Sequence, residues 1–144
     1  MNLSKQFTLE QFEFSQTALR LNIPNHMGSN ERNNAKLLCE NVLEPIYNKI
    51  YKFNISSGFR CKELNKKIGG SEKSQHCEGK AVDIVPIKAS LFDFLDEVRH
   101  SKIPFDQLIL EFNSWIHLSY NENHNRHHVL KASKFKDEII YIQL

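Results

Sequence analysis

His76 and Asp83 stand seven residues apart in "SEKSQHCEGKAVDIV", and a further histidine, His117, lies downstream in "SWIHLSY". Imidazole nitrogens and a carboxylate oxygen are the donors of a catalytic zinc centre, which takes three protein ligands and leaves one position open. Gly79 lets the chain double back between His76 and Asp83, because glycine adopts left-handed backbone without steric cost. Asp83 interrupts the apolar run "AVDIV", and a buried carboxylate needs a cation or hydrogen-bond donors. Two readings stand side by side: a metal ligand, or a strand aspartate that sits in a salt bridge or faces solvent. His117, between Ile116 and Leu118, reads as a ligand or as a hydrogen-bonded core histidine. Finding His, Asp and His on two strand-like segments of one chain favours the metal.

Zinc hydrolysis also needs a general base, and Glu111 is the candidate, at the end of the strand-like "FDQLILEF". Its use depends on hairpin register. A two-residue turn at Asn113–Ser114 pairs Glu111 with Ile116 and turns the carboxylate away from His117. An odd-length turn centred on Ser114 pairs Glu111 with His117 on one face and leaves Trp115 in the turn or bulge. We expect the second register. Arg60, after the Ser-Gly turn of "SSGFR", has a planar donor fork suited to a substrate carboxylate or a polarised carbonyl. Ser74 offers a second hydrogen bond to the same group, or merely caps its loop. Cys77 is left out of the site, since adjacent residues on an extended segment point opposite ways.

The elements that must hold these residues follow from periodicity. Thr8 and Gln11 form a capping box for a helix that runs to Leu21, with Leu9, Phe12, Ala18 and Leu19 at helical spacing. "NIPNHMGSNERN" reads as a loop, and a longer helix starts at about Asn33, with Pro45 kinking it or marking its weakest turn. "KFNISSGFR", ending in a Ser-Gly turn, and "AVDIV" read as strands, and a short helix, "CKELNKKIGG", is closed by Gly69 and Gly70. Ser90 and Asp93 start a helix that buries Leu91, Phe94, Leu95 and Val98. "FDQLILEF" and "WIHLSY" form a hairpin, a polar segment with His124, His127 and His128 follows as a solvated loop, and "EIIYIQL" is a last strand. His26 and His100 read as surface residues. The expectation is one α+β domain over residues 1–144.

Composition narrows the classes. A formal net charge of +2, with basic residues scattered among acidic ones, gives no footprint for nucleic acid. Three cysteines without regular spacing argue against a disulfide framework and suit a reducing cytosol. "MNLSKQFTLEQFEF" has no apolar core of a secretory signal, and no run reaches the length of a membrane span.

"SQHCEGKAVD" fits the pattern Ser-x-His-x-x-Gly-x-Ala-x-Asp, "WIH" supplies a downstream Trp-x-His, and "SSGFR" and "FDQLILEF" accompany them. With these motifs, over Ser56–Tyr120, the chain resembles the M15 family of zinc peptidases. That family includes D-alanyl-D-alanine carboxypeptidases, D-Ala-D-Ala dipeptidases and peptidoglycan-cleaving phage endolysins. The chain looks most like its compact carboxypeptidase-like subgroup. The resemblance implies Zn²⁺ on His76, Asp83 and His117, with Arg60 and Ser74 facing peptidoglycan peptides. It implies a Hedgehog/DD-peptidase-like zinc fold, a small antiparallel sheet flanked by helices with the metal in a cleft on one face. The implied action is at the bacterial cell wall, by a monomer made in the cytoplasm without a signal peptide. One departure is that many relatives place an acidic residue three positions before the last histidine, where this chain has Ser114. That leaves Glu111 as the base, and leaves open a zinc-containing module that binds cell-wall peptide without cleaving it.

Overall fold

The computed structural model describes all residues from Met1 to Leu144. A six-stranded sheet forms its centre, in the order β1-β2-β4-β3-β5-β6. The strands are β1 (Phe53–Ser57), β2 (Ala81–Pro86), β3 (Gln107–Glu111), β4 (Trp115–Ser119), β5 (His128–Phe135) and β6 (Glu138–Gln143). Every pairing is antiparallel except β3 with β5, so the sheet is mixed rather than wholly antiparallel. The architecture is the α+β arrangement of a small sheet flanked by helices. No helix is long and apolar enough to cross a membrane.

Side chains alternate across the sheet. Val82, Ile84, Leu108, Leu110, Ile116 and Leu118 face one way and join a cluster of 23 buried residues. Helices α3 (Ser29–Leu38), α4 (Glu44–Lys49) and, after the short α5 (Lys62–Lys67), α6 (Leu91–His100) supply its other side through Leu38, Ile46, Phe94, Leu95 and Val98. The intervening residues, Asp83, Ile109, Glu111, Trp115 and His117, face the other way. A half-buried sheet of this kind sorts greasy and chemical residues by parity alone.

The first helical segment is two helices, α1 (Leu9–Glu13) and α2 (Gln16–Arg20), where the sequence reads as one. Phe14 is extended, and the Ser15 hydroxyl restarts the helix by accepting the Ala18 N–H at 3.1 Å. The expected Thr8–Gln11 capping box closes α1. Helix α3 begins at Ser29, four residues before the expected Asn33, because the Glu31 carboxylate accepts the Gly28 N–H at 3.0 Å. Pro45 is accommodated by a widened turn over Cys39–Leu43, in which the Glu44 N–H reaches back to the Cys39 carbonyl. That π-type turn absorbs the missing donor and ring bulk of the proline.

Strand β5 is the element the sequence reading missed. Its residues "HVLKASKF" are too polar to signal a buried strand, and only Val129 and Ala132 are fully enclosed. It is held by position, between β3 and β6, and the β5–β6 turn at Lys136–Asp137 uses positive φ at both residues without glycine.

Candidate metal centre

Three elements bring the chemical residues together. Gly79 has φ +74, and a Cβ there would strike the Glu31 backbone, so the chain reverses as expected after the short 3-10 turn Gln75–Glu78 (η1). This returns β2 alongside His76. Asp83 pairs directly with His117 across β2 and β4, on the face opposite the core. His76, Asp83 and His117 are all buried, and one ligand atom from each lies within 4.8 Å of the others.

The shared atom is Asp83 Oδ1, 3.2 Å from His76 Nε2 and 3.3 Å from His117 Nδ1. Ligands at zinc distances of 2.0–2.1 Å on a tetrahedron are about 3.3 Å apart, so both edges fit. The tautomer of His76 strengthens the fit. The Gly58 carbonyl, 2.7 Å from Nδ1, accepts that proton, which leaves the Nε2 lone pair toward the carboxylate. A lone pair facing a buried carboxylate requires a positive charge between or upon them. Histidine ligands of metals characteristically donate their second N–H to a backbone carbonyl in this way. Gly58 can present its carbonyl because it packs on the α1 end, where a Cβ would lie 2.6 Å from the Phe12 carbonyl oxygen. Burial alone would raise the Asp83 carboxyl, but positive charge on His76, with hydrogen bonds from protonated His117 and His76, holds it far below the ordinary carboxylate range; a metal ion would supply the same charge.

Glu111 shares the face of His117, as expected, but by a different register. It pairs with Trp115, and His117 pairs with Ile109. The hairpin loop is three residues, Phe112–Ser114, with positive φ at Phe112 and Asn113, so Trp115 lies in the strand rather than in the turn. A shift of two preserves the face. Glu111 Oε1 consequently sits diagonally across, 4.0 Å from His117 Nδ1, and accepts the Trp115 Nε1–H at 2.9 Å. Nothing in the residue types marked Trp115 as the partner of Glu111; only the loop length decides it.

Arg60 and Ser74 lie together beside His76. The Arg60 Nη2 donates to Ser74 Oγ at 3.4 Å, and the Arg60 N–H bonds the His76 carbonyl at 3.2 Å. The Arg60 Nε–H is buried without a partner. These residues line a cleft of about 610 Å³ with His76, Asp83, Glu111 and His117. Cys77 lies outside the cluster, although its segment is a 3-10 turn and not the extended one expected. The other histidines stay away: His127 stacks on Phe105 at 3.9 Å, His26 contacts Glu13, and His100 bonds the Asp96 carbonyl.

Asp106 was missed because it reads as a strand-flanking polar residue. It is buried, and accepts from Gln75 Nε2 at 2.8 Å, the Arg126 N–H at 2.9 Å, Nε at 3.0 Å and Nη2 at 2.6 Å. It thus ties the residue before His76 to the start of β5. Burial would raise its pKa, but the Arg126 bonds bring it down to about 2. A depressed carboxylate stabilises the fold above its unfolded pKa, and that stability is lost as pH falls through about 2. Asp106→Asn is expected to cost about 2 kcal/mol at pH 7, lowering Tm by roughly 4–8 °C, with the gap closing toward pH 2. Thermal melts across that range check it; equal Tm values at pH 7 would contradict it.

A buried His-Asp-His cluster, with a carboxylate beside it on the same sheet face, has the donor set to hold a metal ion. Residues 5–119 match the family model described as Peptidase M15, and the chain belongs to that family. No curated protein matches the chain.

Proposed function

We propose that this protein is a zinc-dependent peptidase that hydrolyses peptide bonds of the peptidoglycan stem peptide. Its action would be that of a D-Ala-D-Ala carboxypeptidase or an L-Ala-D-Glu-type endopeptidase, in the manner of phage cell-wall lytic enzymes. The observation that carries this reading is the Asp83 carboxylate shared by His76 Nε2 and His117 Nδ1, with Glu111 on the same face.

Zinc held by His76, Asp83 and His117 would supply Lewis acidity toward water and a peptide carbonyl. Glu111, whose carboxylate is steadied by the Trp115 Nε1–H and lies 4.0 Å from His117 Nδ1, would take a proton from the attacking water. As the water oxygen bonds the carbonyl carbon and the C–N bond breaks, Glu111 returns that proton to the departing amine. The Arg60 guanidinium and the Ser74 hydroxyl, both lining the cleft, hold the substrate carboxylate or carbonyl oxygen. Trp115 orients Glu111, and Gly58 orients His76.

Mass spectrometry of purified muropeptides incubated with the zinc-loaded protein tests this reading. One new amine and one new carboxylate per cut are expected, with the cut lost on chelation. Intact muropeptides after prolonged incubation would overturn it.

A further inference from the structure

Strands β5 and β6 lie beyond the residues matched to the family, yet they build part of the cleft. Two rows of paired residues run across the site face. One runs Asp83, His117, Ile109, Leu130, Gln143; the other runs Trp115, Glu111, Ala132, Tyr141. The second row puts aromatic rings on both sides of Glu111, with only the methyl group of Ala132 between Glu111 and Tyr141. Leu130, Ile139 and Tyr141 all line the cleft that holds the ligand cluster. Ile139 and Tyr141 are half-exposed, at 51% and 53%, on the outermost strand.

The cleft is therefore asymmetric. Arg60 follows β1, at one edge of the strand order, and the apolar wall stands at the other edge. His117 on β4 is three strands from Tyr141 on β6, about 14 Å at the usual strand spacing, which an extended peptide covers in about four residues. Partial burial, and then the Glu111 charge, raise the Tyr141 phenol above its usual range.

The geometry points to Tyr141 as a specificity-determining residue whose ring contacts the apolar part of the substrate peptide several residues from the scissile bond, at the end opposite Arg60. This rests on the peptidase reading above. It makes the β5–β6 hairpin a device for selecting long peptides over short ones. A stem pentapeptide reaches the wall, and a tripeptide cut from its carboxyl end does not.

Trp115 is the single tryptophan and adjoins Glu111, so its fluorescence reports occupancy of the cleft. In zinc-loaded Glu111→Gln protein, which holds substrate uncut, the Kd for the pentapeptide and for the tripeptide is measured with and without Tyr141→Ala. The ratio of pentapeptide to tripeptide affinity is expected to fall at least tenfold in Tyr141→Ala, at equal zinc content, and to stay within threefold in Tyr141→Phe. An unchanged ratio, equal weakening of both peptides, or a Phe variant as poor as Ala would overturn the role of Tyr141 while leaving the peptidase reading intact. Failure of the parent to bind any stem peptide, with no cleavage by wild type, would overturn that reading and this one with it.

Discussion

Glu111→Gln is expected to lower kcat by about 10²–10⁴, the usual contribution of a positioned general base, while retaining one zinc per chain. Glutamine keeps the shape of the side chain and an oxygen able to accept the Trp115 Nε1–H. What it loses is the capacity to take a proton from water. Glu111 is not part of the His76-Asp83-His117 cluster, so metal content separates a lost base from a lost centre. Turnover at the wild-type rate on muropeptides would remove Glu111 from the mechanism. Loss of zinc along with activity would make it a ligand instead.

The second large effect is expected from His117→Ala. This change removes one of the two imidazoles that share Asp83 Oδ1, and leaves the buried carboxylate with His76 alone. Zinc affinity should fall by more than about 100-fold, the upper end for partners that merely orient ligands, and turnover should fall to background. The core face of β4 is formed by Ile116 and Leu118, which the substitution does not touch, so the far-ultraviolet spectrum should be retained. Elemental analysis after dialysis reads the first effect and muropeptide digestion the second. Wild-type zinc content in the variant would exclude His117 as a ligand.

The sequence made the His76-Asp83-His117 cluster legible because its chemistry is local and redundant. Asp83 breaks an apolar strand, Gly79 permits the reversal that brings His76 back, and His117 recurs at a matching strand position. Parity then carried Glu111 to the same face, since any odd-length loop places it there. The pairing itself was not legible. It turns on left-handed backbone at Phe112 and Asn113, neither a glycine, which shortens the loop and moves Trp115 into the strand. Strand β5, and with it the pairing to the expected last strand β6, was hidden for the same reason, as Lys136 and Asp137 make the turn without the usual glycine signal. Asp106 could not be recognised from its neighbours, because its partners Gln75 and Arg126 reach it from distant parts of the chain. Features set by long-range pairing and by strained turns were lost, whereas those set by residue type and spacing were kept.

Calorimetric titration of metal-free protein with zinc tests the centre most directly. Wild type should bind one equivalent, and Asp83→Ala, which deletes the atom that both histidines share, should show no saturable binding in the same range. Equal stoichiometry and affinity in the two proteins would contradict the assignment of His76, Asp83 and His117 as the metal centre.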